Sequence, residues 1–167
     1  MRFLRLSGHF TKERTFEGGE VGSMRTYNEN QTVMQQLVEG LLDAWNAHDT
    51  GRIESFYAAE YEGVDVGQAE PERGPQGISR SVDRYLRAFP DLSFVEEGLV
   101  VEGDRAVLVW TAHGTHGGKL MSIPPTWRKV SVRGVSVLTV ENEKITRGLY
   151  VWDVAGLLRT IGLLPEL

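Results

Sequence analysis

The sequence predicts an α+β domain in which helices come first and a cone-shaped, curved antiparallel sheet wraps around them. Before Pro90, apolar residues recur at helical spacing; after it, long runs rich in β-branched residues are joined by short turn signals. Strands that follow one another through tight turns pair antiparallel, and long twisted strands tend to curl. A curled sheet with a helix on its concave side has an open mouth, so we expect one ligand pocket.

Composition and charge limit the possible classes of protein. The 167 residues suit one domain, and the net charge of -5 argues against a surface for nucleic acid or anionic membranes. The absence of cysteine excludes disulfides and thiol chemistry and fits a reducing cytoplasm. We therefore expect a cytoplasmic domain that binds neither nucleic acid nor membrane and holds no metal.

The N-terminal region divides at about residue 24. Residues 1–23 are rich in glycine and charge without a sustained period, so we predict a flexible arm ahead of a single domain over 24–167. From Thr32 the pattern becomes helical, and Thr32 with Gln35 is a candidate capping box. The apolar stripe of this first helix comprises Met34, Leu37, Val38, Leu41, Leu42 and Trp45.

Two further helices are predicted before Pro90. Asp49 or Thr50 can cap a short second helix that extends to Tyr57. A third helix opens at "GPQG", where Pro75 lies in the first turn, and it ends at Pro90. The apolar stripe of this third helix comprises Ile78, Val82, Tyr85, Leu86 and Phe89.

The second half of the chain predicts strands and one last helix. Turn signals at Gly103-Asp104 and in "ENEK" mark two hairpins, and the longer loop Gly117–Trp127 contains prolines that break pairing. A helix follows Asp153. The predicted strands cover roughly 92–101, 105–116, 128–140 and 145–152.

Asp153 is the main candidate catalytic residue. Simple alternation along the last strand places Ile145, Leu149, Val151 and Asp153 on one face, which we expect to line the pocket. Asp153 also immediately precedes a helix, where aspartate is a favoured N-cap. Capping hydrogen bonds lower the pKa of a carboxyl group, whereas an apolar pocket raises it toward the value that a general base needs. Both interpretations stay open.

A histidine and an acid are the other polar candidates. His113 and His116 lie three residues apart on a predicted strand and therefore on opposite faces, which excludes a shared metal ion. His116 shares its face with Trp110 and is the histidine expected inside the pocket. Asp65 falls near the expected mouth, where it is either a substrate-binding group or a turn acid in solvent.

Aromatic residues complete the candidate set. Trp45 and Trp110 are placed as core residues or pocket walls, and Trp127, in the long loop, as an anchor or a lid. Tyr150 and Trp152 alternate with the pocket-facing residues of the last strand. They are therefore expected on the convex face, where a homodimer would cover them.

Four segments together resemble the SnoaL-like polyketide cyclase family of the nuclear transport factor 2-like superfamily: "AFPDL", "EGDRAVLVWTAHGTHGG", "IPPTWRKVSVRGVSVLTVENEKI" and "YVWDVAGLLRTIGLLP". The resemblance runs from about Asn28 to Leu164. It implies a cone-shaped α+β fold, usually dimeric and without metal or cofactor, in which Asp153 is the acid/base of an intramolecular aldol ring closure. The family usually has glycine after Pro-Pro-Thr, where this chain has Trp127, and a strand histidine that the run 128–140 lacks.

Three functions are compatible with these patterns. In the first, Asp153 removes a proton next to a carbonyl of an apolar substrate, and His116 donates to the oxyanion within a wall formed by Trp110, Leu149 and Val151. In the second, the cone only binds a small molecule or dimerises. The third, epoxide hydrolysis, needs a second acid and a basic partner, for which Asp65 with Arg133 or Arg147 are candidates. No signature of a nucleotide or flavin cofactor is present.

Overall fold

The computed structural model of this chain describes residues 19–165, so most of the predicted arm lies outside the described residues. Within this range the helices are Gly19–Asn46 (α1), Thr50–Ser55 (α2), Gly74–Ala88 (α3) and Val154–Thr160 (α4). The strands are Tyr57–Asp65 (β1), Glu72–Arg73 (β2), Ser93–Glu102 (β3), Arg105–Thr115 (β4), Lys129–Glu141 (β5) and Lys144–Trp152 (β6).

The ends of the shorter helices agree with their sequence signals. Asp49 caps α2 by accepting a hydrogen bond from the backbone amide of Arg52 at 2.9 Å. A proline occupies the first turn of α3, as predicted. The prediction that a capping box at Thr32 starts the first helix is wrong, because α1 already begins at Gly19. A helix, once nucleated, propagates through residues that lack an apolar stripe, and no proline interrupts this segment.

The sheet has the strand order β2-β1-β6-β5-β4-β3. The four long predicted strands form antiparallel neighbours in chain order, which confirms the α+β fold with a curved sheet. β1 departs from the prediction in two ways. It begins at Tyr57, which had been assigned to the second helix, and it runs parallel to β6. Its sequence, "YAAEYEGVD", contains a single β-branched residue, so its strand signal is weak.

A one-residue bulge in β6 reverses the phase of that strand. Thr139 pairs with Arg147 and Val140 pairs with Ile145, so Thr146 is an extra residue relative to β5. Beyond a bulge of this kind, the alternation of side chains continues with the opposite parity. Gly148, Tyr150 and Trp152 consequently face the inside of the cone, and Leu149 and Val151 face outward.

Helices cover the concave face of the sheet and enclose the core. α1 packs against β3, and α3 packs against β1. The indole of Trp110 lies flat over Gly134 on the neighbouring strand, where a Cβ atom would come within 2.4 Å of the ring. The fully buried side chains at the centre of this core include Val38, Ile53, Tyr61, Val82, Leu138 and Ile145.

Candidate active site

An apolar cavity of about 140 Å³ lies between the concave face of the sheet and the helices. Aromatic rings form much of its wall. Trp45 packs edge-on against Phe94 at 5.4 Å between ring centroids, and Phe94 packs against Trp110 at 5.3 Å. The indole Nε1 of Trp110 donates to the hydroxyl of Ser136 at 2.9 Å, which satisfies its polar atom without water. The predictions that Trp45 and Trp110 lie at the pocket wall are consistent with this placement.

The only charged side chains that line this cavity, within the described part of the chain, are two carboxylates. Asp65 ends β1 and is 5% exposed, and Glu72 begins β2 and is 6% exposed. No lysine, arginine or histidine of the described residues lines the cavity. The cavity can therefore accommodate neutral or cationic ligands more readily than an anion.

Asp65 is held by three hydrogen-bond donors. The hydroxyl of Tyr85 donates to Oδ2 at 2.5 Å, while Nε1 of Trp152 and the backbone amide of Gly67 each donate to Oδ1 at 2.8 Å. These donors come from α3, β6 and the turn after β1. The carboxylate is thus fixed in one orientation, with both oxygens engaged.

Glu72 has fewer fixed partners and an altered acidity. Its Oε2 lies 3.5 Å from the hydroxyl of Tyr61, which is the long end of a hydrogen bond. Burial raises the pKa of Glu72 above its ordinary value, and the charge of Asp65 raises it further. Hydrogen bonding to Ser81 and the charge of Arg84 act in the opposite direction on this pKa. A buried carboxyl group whose pKa is shifted toward neutrality can both take and return a proton.

Three tyrosine hydroxyls adjoin Glu72. The hydroxyls of Tyr61 and Tyr150 are 3.1 Å apart, and those of Tyr57 and Tyr150 are 3.2 Å apart. Tyr57 and Tyr150 line the cavity, whereas Tyr61 is fully buried behind it. Burial raises the pKa of all three tyrosines well above the ordinary value, so the hydroxyls stay protonated and can donate.

Asp153 does not lie in this cavity. Its side chain is exposed and accepts a hydrogen bond from the backbone amide of Gly156 at 2.7 Å, which makes it the N-cap of α4. The prediction that Asp153 lies on the inner wall is wrong because the Thr146 bulge reverses the face of β6. The capping interpretation describes its observed contact.

The same phase reversal corrects the other predictions on β6. Leu149 is 41% exposed and Val151 is 46% exposed on the outer face, so neither forms a pocket wall. Tyr150 and Trp152, predicted on the convex face, line the cavity instead. A dimer contact therefore cannot use these two side chains.

His116 is buried but is not part of the cavity lining. Its ring packs against Phe89 at 5.5 Å, and its Nδ1 lies 3.0 Å from the hydroxyl of Thr126. Burial lowers the pKa of His116, which favours the neutral imidazole. His113 is exposed, as expected for the opposite face of β4. Trp127, proposed as an anchor or lid, is 71% exposed and lines no part of the cavity.

Sequence reasoning missed Glu72 and the tyrosine hydroxyls. Glu72 lies in "EPERG", a charged stretch ahead of a helix that is typical of a solvated turn. A usable signal was the repetition of Tyr-x-Gly or Gly-x-Tyr in two strands, at Tyr61-Gly63 and Gly148-Tyr150. Within the described residues no cluster of three or more acids and histidines could hold a metal ion, and no helix is long and apolar enough to cross a membrane.

Comparison with known proteins agrees with this architecture. The SnoaL-like polyketide cyclase family matches residues 35–161. The chain is 28% identical over 129 residues to the aklanonic acid methyl ester cyclase DauD of Streptomyces sp. (strain C5), which covers 75% of this chain and 80% of that protein. It is 29% identical to the aklanonic acid methyl ester cyclase DnrD of Streptomyces peucetius, with 75% and 88% covered.

A solved structure extends the comparison to three dimensions. TsrD from Streptomyces laurentii superposes with a TM-score of 0.73 at 31% sequence identity, covering 80% of this chain and 97% of that one. The residues that match the family, 35–161, run from α1 through α4 and include every strand of the sheet. This protein is a member of the SnoaL-like polyketide cyclase family.

Proposed function

We propose that this chain is a cofactor-independent cyclase that closes a ring by an aldol-type reaction on a neutral, apolar carbonyl compound, with Glu72 as the acid/base group. The observation that carries the proposal is a buried carboxyl group of raised pKa in a cavity that is walled, apart from Asp65 and two serines, by aromatic and aliphatic side chains. This is the environment in which a carboxylate serves as a general base near neutral pH.

The reaction follows from these groups. The Glu72 carboxylate takes a proton from the carbon next to a carbonyl, and the electron pair left behind forms an enolate. The enolate carbon attacks a second carbonyl of the same molecule, so a carbon–carbon bond forms and an alkoxide is produced. A proton returned to the alkoxide completes the ring closure. The charge of Asp65, which its three donors hold in place, helps to raise the pKa of Glu72.

The charge of the cavity favours an esterified substrate. With two carboxylates and no cation among the described lining residues, a free carboxylic acid would be repelled in its ionised form. The relatives DauD and DnrD are named as cyclases of a methyl ester, which is uncharged at that position. Epoxide hydrolysis has less support, since Arg133 and Arg147 are exposed and do not line the cavity.

The test compares two carboxyl variants on aklanonic acid methyl ester and related neutral polyketides. Glu72→Gln keeps the size of the side chain but cannot accept the proton, so kcat should fall by about 10²- to 10⁴-fold. Asp153→Asn preserves the helix cap, because asparagine caps as well as aspartate, and should leave kcat nearly unchanged. Loss of activity in Asp153→Asn with activity retained in Glu72→Gln would instead identify Asp153 as the acid/base.

A binding function without catalysis is the second candidate. The observation in its favour is that both oxygens of Asp65 are already engaged by the protein, as in a structural carboxylate. Under this function the wild type binds the neutral polyketides, detected by quenching of tryptophan fluorescence, but converts none of them. Turnover that depends on Glu72 excludes it.

A further inference from the structure

Glu72 lines the cavity directly, and a continuous chain of tyrosine hydroxyls also connects it to another part of the cavity wall. Glu72 lies 3.5 Å from the hydroxyl of Tyr61, which lies 3.1 Å from that of Tyr150, which in turn lies 3.2 Å from that of Tyr57. We refer to Glu72, Tyr61, Tyr150 and Tyr57 as the hydroxyl chain. Glu72, Tyr150 and Tyr57 line the cavity, and Tyr61 lies behind the wall.

Two glycines create the space in which the hydroxyl chain forms. Gly63 and Gly148 pair directly across β1 and β6. A Cβ atom on Gly63 would lie 1.8 Å from the hydroxyl oxygen of Tyr61, and one on Gly148 would lie 2.8 Å from that oxygen and 2.7 Å from that of Tyr150. Each tyrosine leans along its own strand over the glycine two residues away. Any larger residue at either glycine would displace the hydroxyls.

The direction of the hydrogen bonds depends on the protonation of Glu72, because each phenol has one hydrogen to donate. When Glu72 is ionised, Tyr61 donates to it, Tyr150 donates to Tyr61, and Tyr57 donates to Tyr150. When Glu72 carries a proton, it donates to Tyr61, Tyr61 donates to Tyr150, and the hydrogen of Tyr150 becomes available to a group in the cavity. Protonation at one end thus creates a donor at the other.

We propose that the hydroxyl chain returns the proton taken by Glu72 to the oxygen of the substrate through Tyr61 and Tyr150. This inference rests on the proposed function and adds a route for its last step. The alkoxide takes the proton of Tyr150, Tyr150 takes that of Tyr61, and Tyr61 takes the one that Glu72 removed from carbon. Each O–H bond that breaks is replaced, so the enzyme returns to its starting state without exchanging a proton with water. Tyr150 is the catalytic donor, and Tyr61 is a relay residue that does not touch the substrate.

The charged and titratable groups around Glu72 are compatible with this cycle. Asp65 on β1 favours the protonated form of Glu72, whereas Arg84 on α3 favours the ionised form, and Ser81 on α3 donates to it. The hydroxyls of Tyr57, Tyr61 and Tyr150 stay protonated because burial raises each pKa. The protonation state of the hydroxyl chain is therefore set by Glu72, on whose pKa burial and the neighbouring groups act in opposite directions.

The test measures whether Tyr150 responds to Glu72 through Tyr61, and it needs no substrate. Protein labelled with carbon-13 at the tyrosine ζ and glutamate δ positions is titrated by NMR. In the wild type, the Tyr150 resonance should shift with the same midpoint as that of Glu72. In Tyr61→Phe, Glu72 should still titrate while the Tyr150 shift falls to less than about half, because the chain is broken; a purely electrostatic response would persist. A Tyr150 resonance that ignores Glu72 in the wild type, or follows it equally in Tyr61→Phe, overturns the proposal.

Two further variants keep this test decisive. Tyr85→Phe removes a phenol bonded to Asp65 and not to the hydroxyl chain, so the Tyr150 resonance should still follow Glu72, even where the midpoint moves. Gly148→Ala retains all the tyrosine residues but displaces their hydroxyls. It should therefore uncouple the two resonances as Tyr61→Phe does. Should Tyr61→Phe fail to fold, Gly148→Ala supplies the same comparison.

Kinetics separate this inference from the proposed function. On a substrate that the wild type converts, Tyr61→Phe should lower kcat by about tenfold with KM unchanged, since one relay hydrogen bond is lost outside the cavity. The solvent isotope effect should depend non-linearly on the fraction of heavy water in the wild type and linearly in the variant. If the wild type converts no polyketide, the proposed function fails, whereas coupled NMR titrations would still establish the hydroxyl chain.

Discussion

Among single residues, Trp127 is a bulky residue in a backbone conformation that favours glycine. The residue has φ 60°, the left-handed region that favours glycine, and its ring is 71% exposed. The resemblance to the SnoaL-like family had already marked this position, since family members usually have glycine after Pro-Pro-Thr. The structure supplies the reason: the chain must turn here before β5, with the amide of Trp127 donating to the carbonyl of His116 at 2.9 Å.

Two replacements of Trp127 measure the cost of its left-handed backbone. Trp127→Gly relieves the strained φ, whereas Trp127→Ala removes the same ring but keeps the Cβ atom. We expect the glycine variant to be more stable than the alanine variant by about 1 kcal/mol, because a left-handed non-glycine residue costs about 1–2 kcal/mol and glycine loses part of this in unfolded-chain entropy. Urea unfolding of both variants measures the difference. An alanine variant as stable as the glycine variant would show that φ 60° is not held in solution.

At the scale of elements, the loop between β4 and β5 is fastened at its two ends by side chains. His116 and Thr126 contact each other at 3.0 Å, and the imidazole is completely buried. At the entrance to the loop, Asp91 accepts hydrogen bonds from the hydroxyl and the backbone amide of Thr115, which lower its pKa. The loop is thus held by a neutral histidine on one side and an ionised aspartate on the other.

This arrangement predicts a pH dependence of stability. The pKa of His116 is lowered in the folded state, so the unfolded state binds more protons once the pH falls below about 6.5, the pKa of a free histidine. Stability from this group is therefore complete above pH 6.5 and decreases as the pH falls, by up to about 1.4 kcal/mol per pH unit until the folded pKa is reached. Denaturant unfolding between about pH 7 and pH 5 measures this decrease.

Two variants test this pH dependence, one at His116 in the loop and one at His113 on β4. His116→Gln should remove the decrease between about pH 7 and pH 5, whereas His113→Gln, at an exposed position, should leave it unchanged. An equal slope in His116→Gln and the wild type would assign the pH dependence to other groups. The carboxyl of Asp91 acts at lower pH, since its stabilising form is lost only as carboxyl groups protonate.

In the molecule as a whole, both faces of the curved sheet carry apolar side chains, and the helices cover only the concave face. The concave face encloses the cavity, and the outer face carries Val64, Leu149 and Val151, each between 41% and 50% exposed. These side chains are neighbours, because Val64 pairs with Leu149, and Leu149 and Val151 pair with Val137 and Val135 on β5. A contiguous apolar patch on a sheet face is typical of a protein interface.

We expect two copies of the chain to associate through this outer face rather than through Tyr150 and Trp152. Leu149→Glu or Val151→Glu places a charge in the centre of the patch and should convert the dimer to a monomer in light-scattering measurements at micromolar concentration. Val100→Glu is the control, because Val100 is 66% exposed on β3, at the far edge of the sheet. A wild type that is monomeric, or a dimer insensitive to both β6 variants, contradicts this interface.

The fold class, the helices α2, α3 and α4, the four long strands and both hairpins could be predicted from the sequence, since these depend on local period and turn chemistry. The N-caps Asp49 and Asp153 were each one of two interpretations that the sequence left open. The sequence also identified the family, and it placed Trp45, Trp110 and Asp65 among the candidates for the cavity. What it could not determine was the face of each residue on β6. That face depends on one extra residue, Thr146, whose presence as a bulge is defined only by pairing with β5.

Which acids share the cavity depends on contacts between distant parts of the chain. Simple alternation from Ile145 predicts that Asp153 points inward. Because of the bulge, Asp153 instead points outward and caps α4, while Tyr150 and Trp152 point into the cavity. Glu72 becomes a candidate acid/base because β2 pairs with β1 and burial then raises its pKa. Pairing and burial are long-range properties, and a local pattern in the chain contains neither of them.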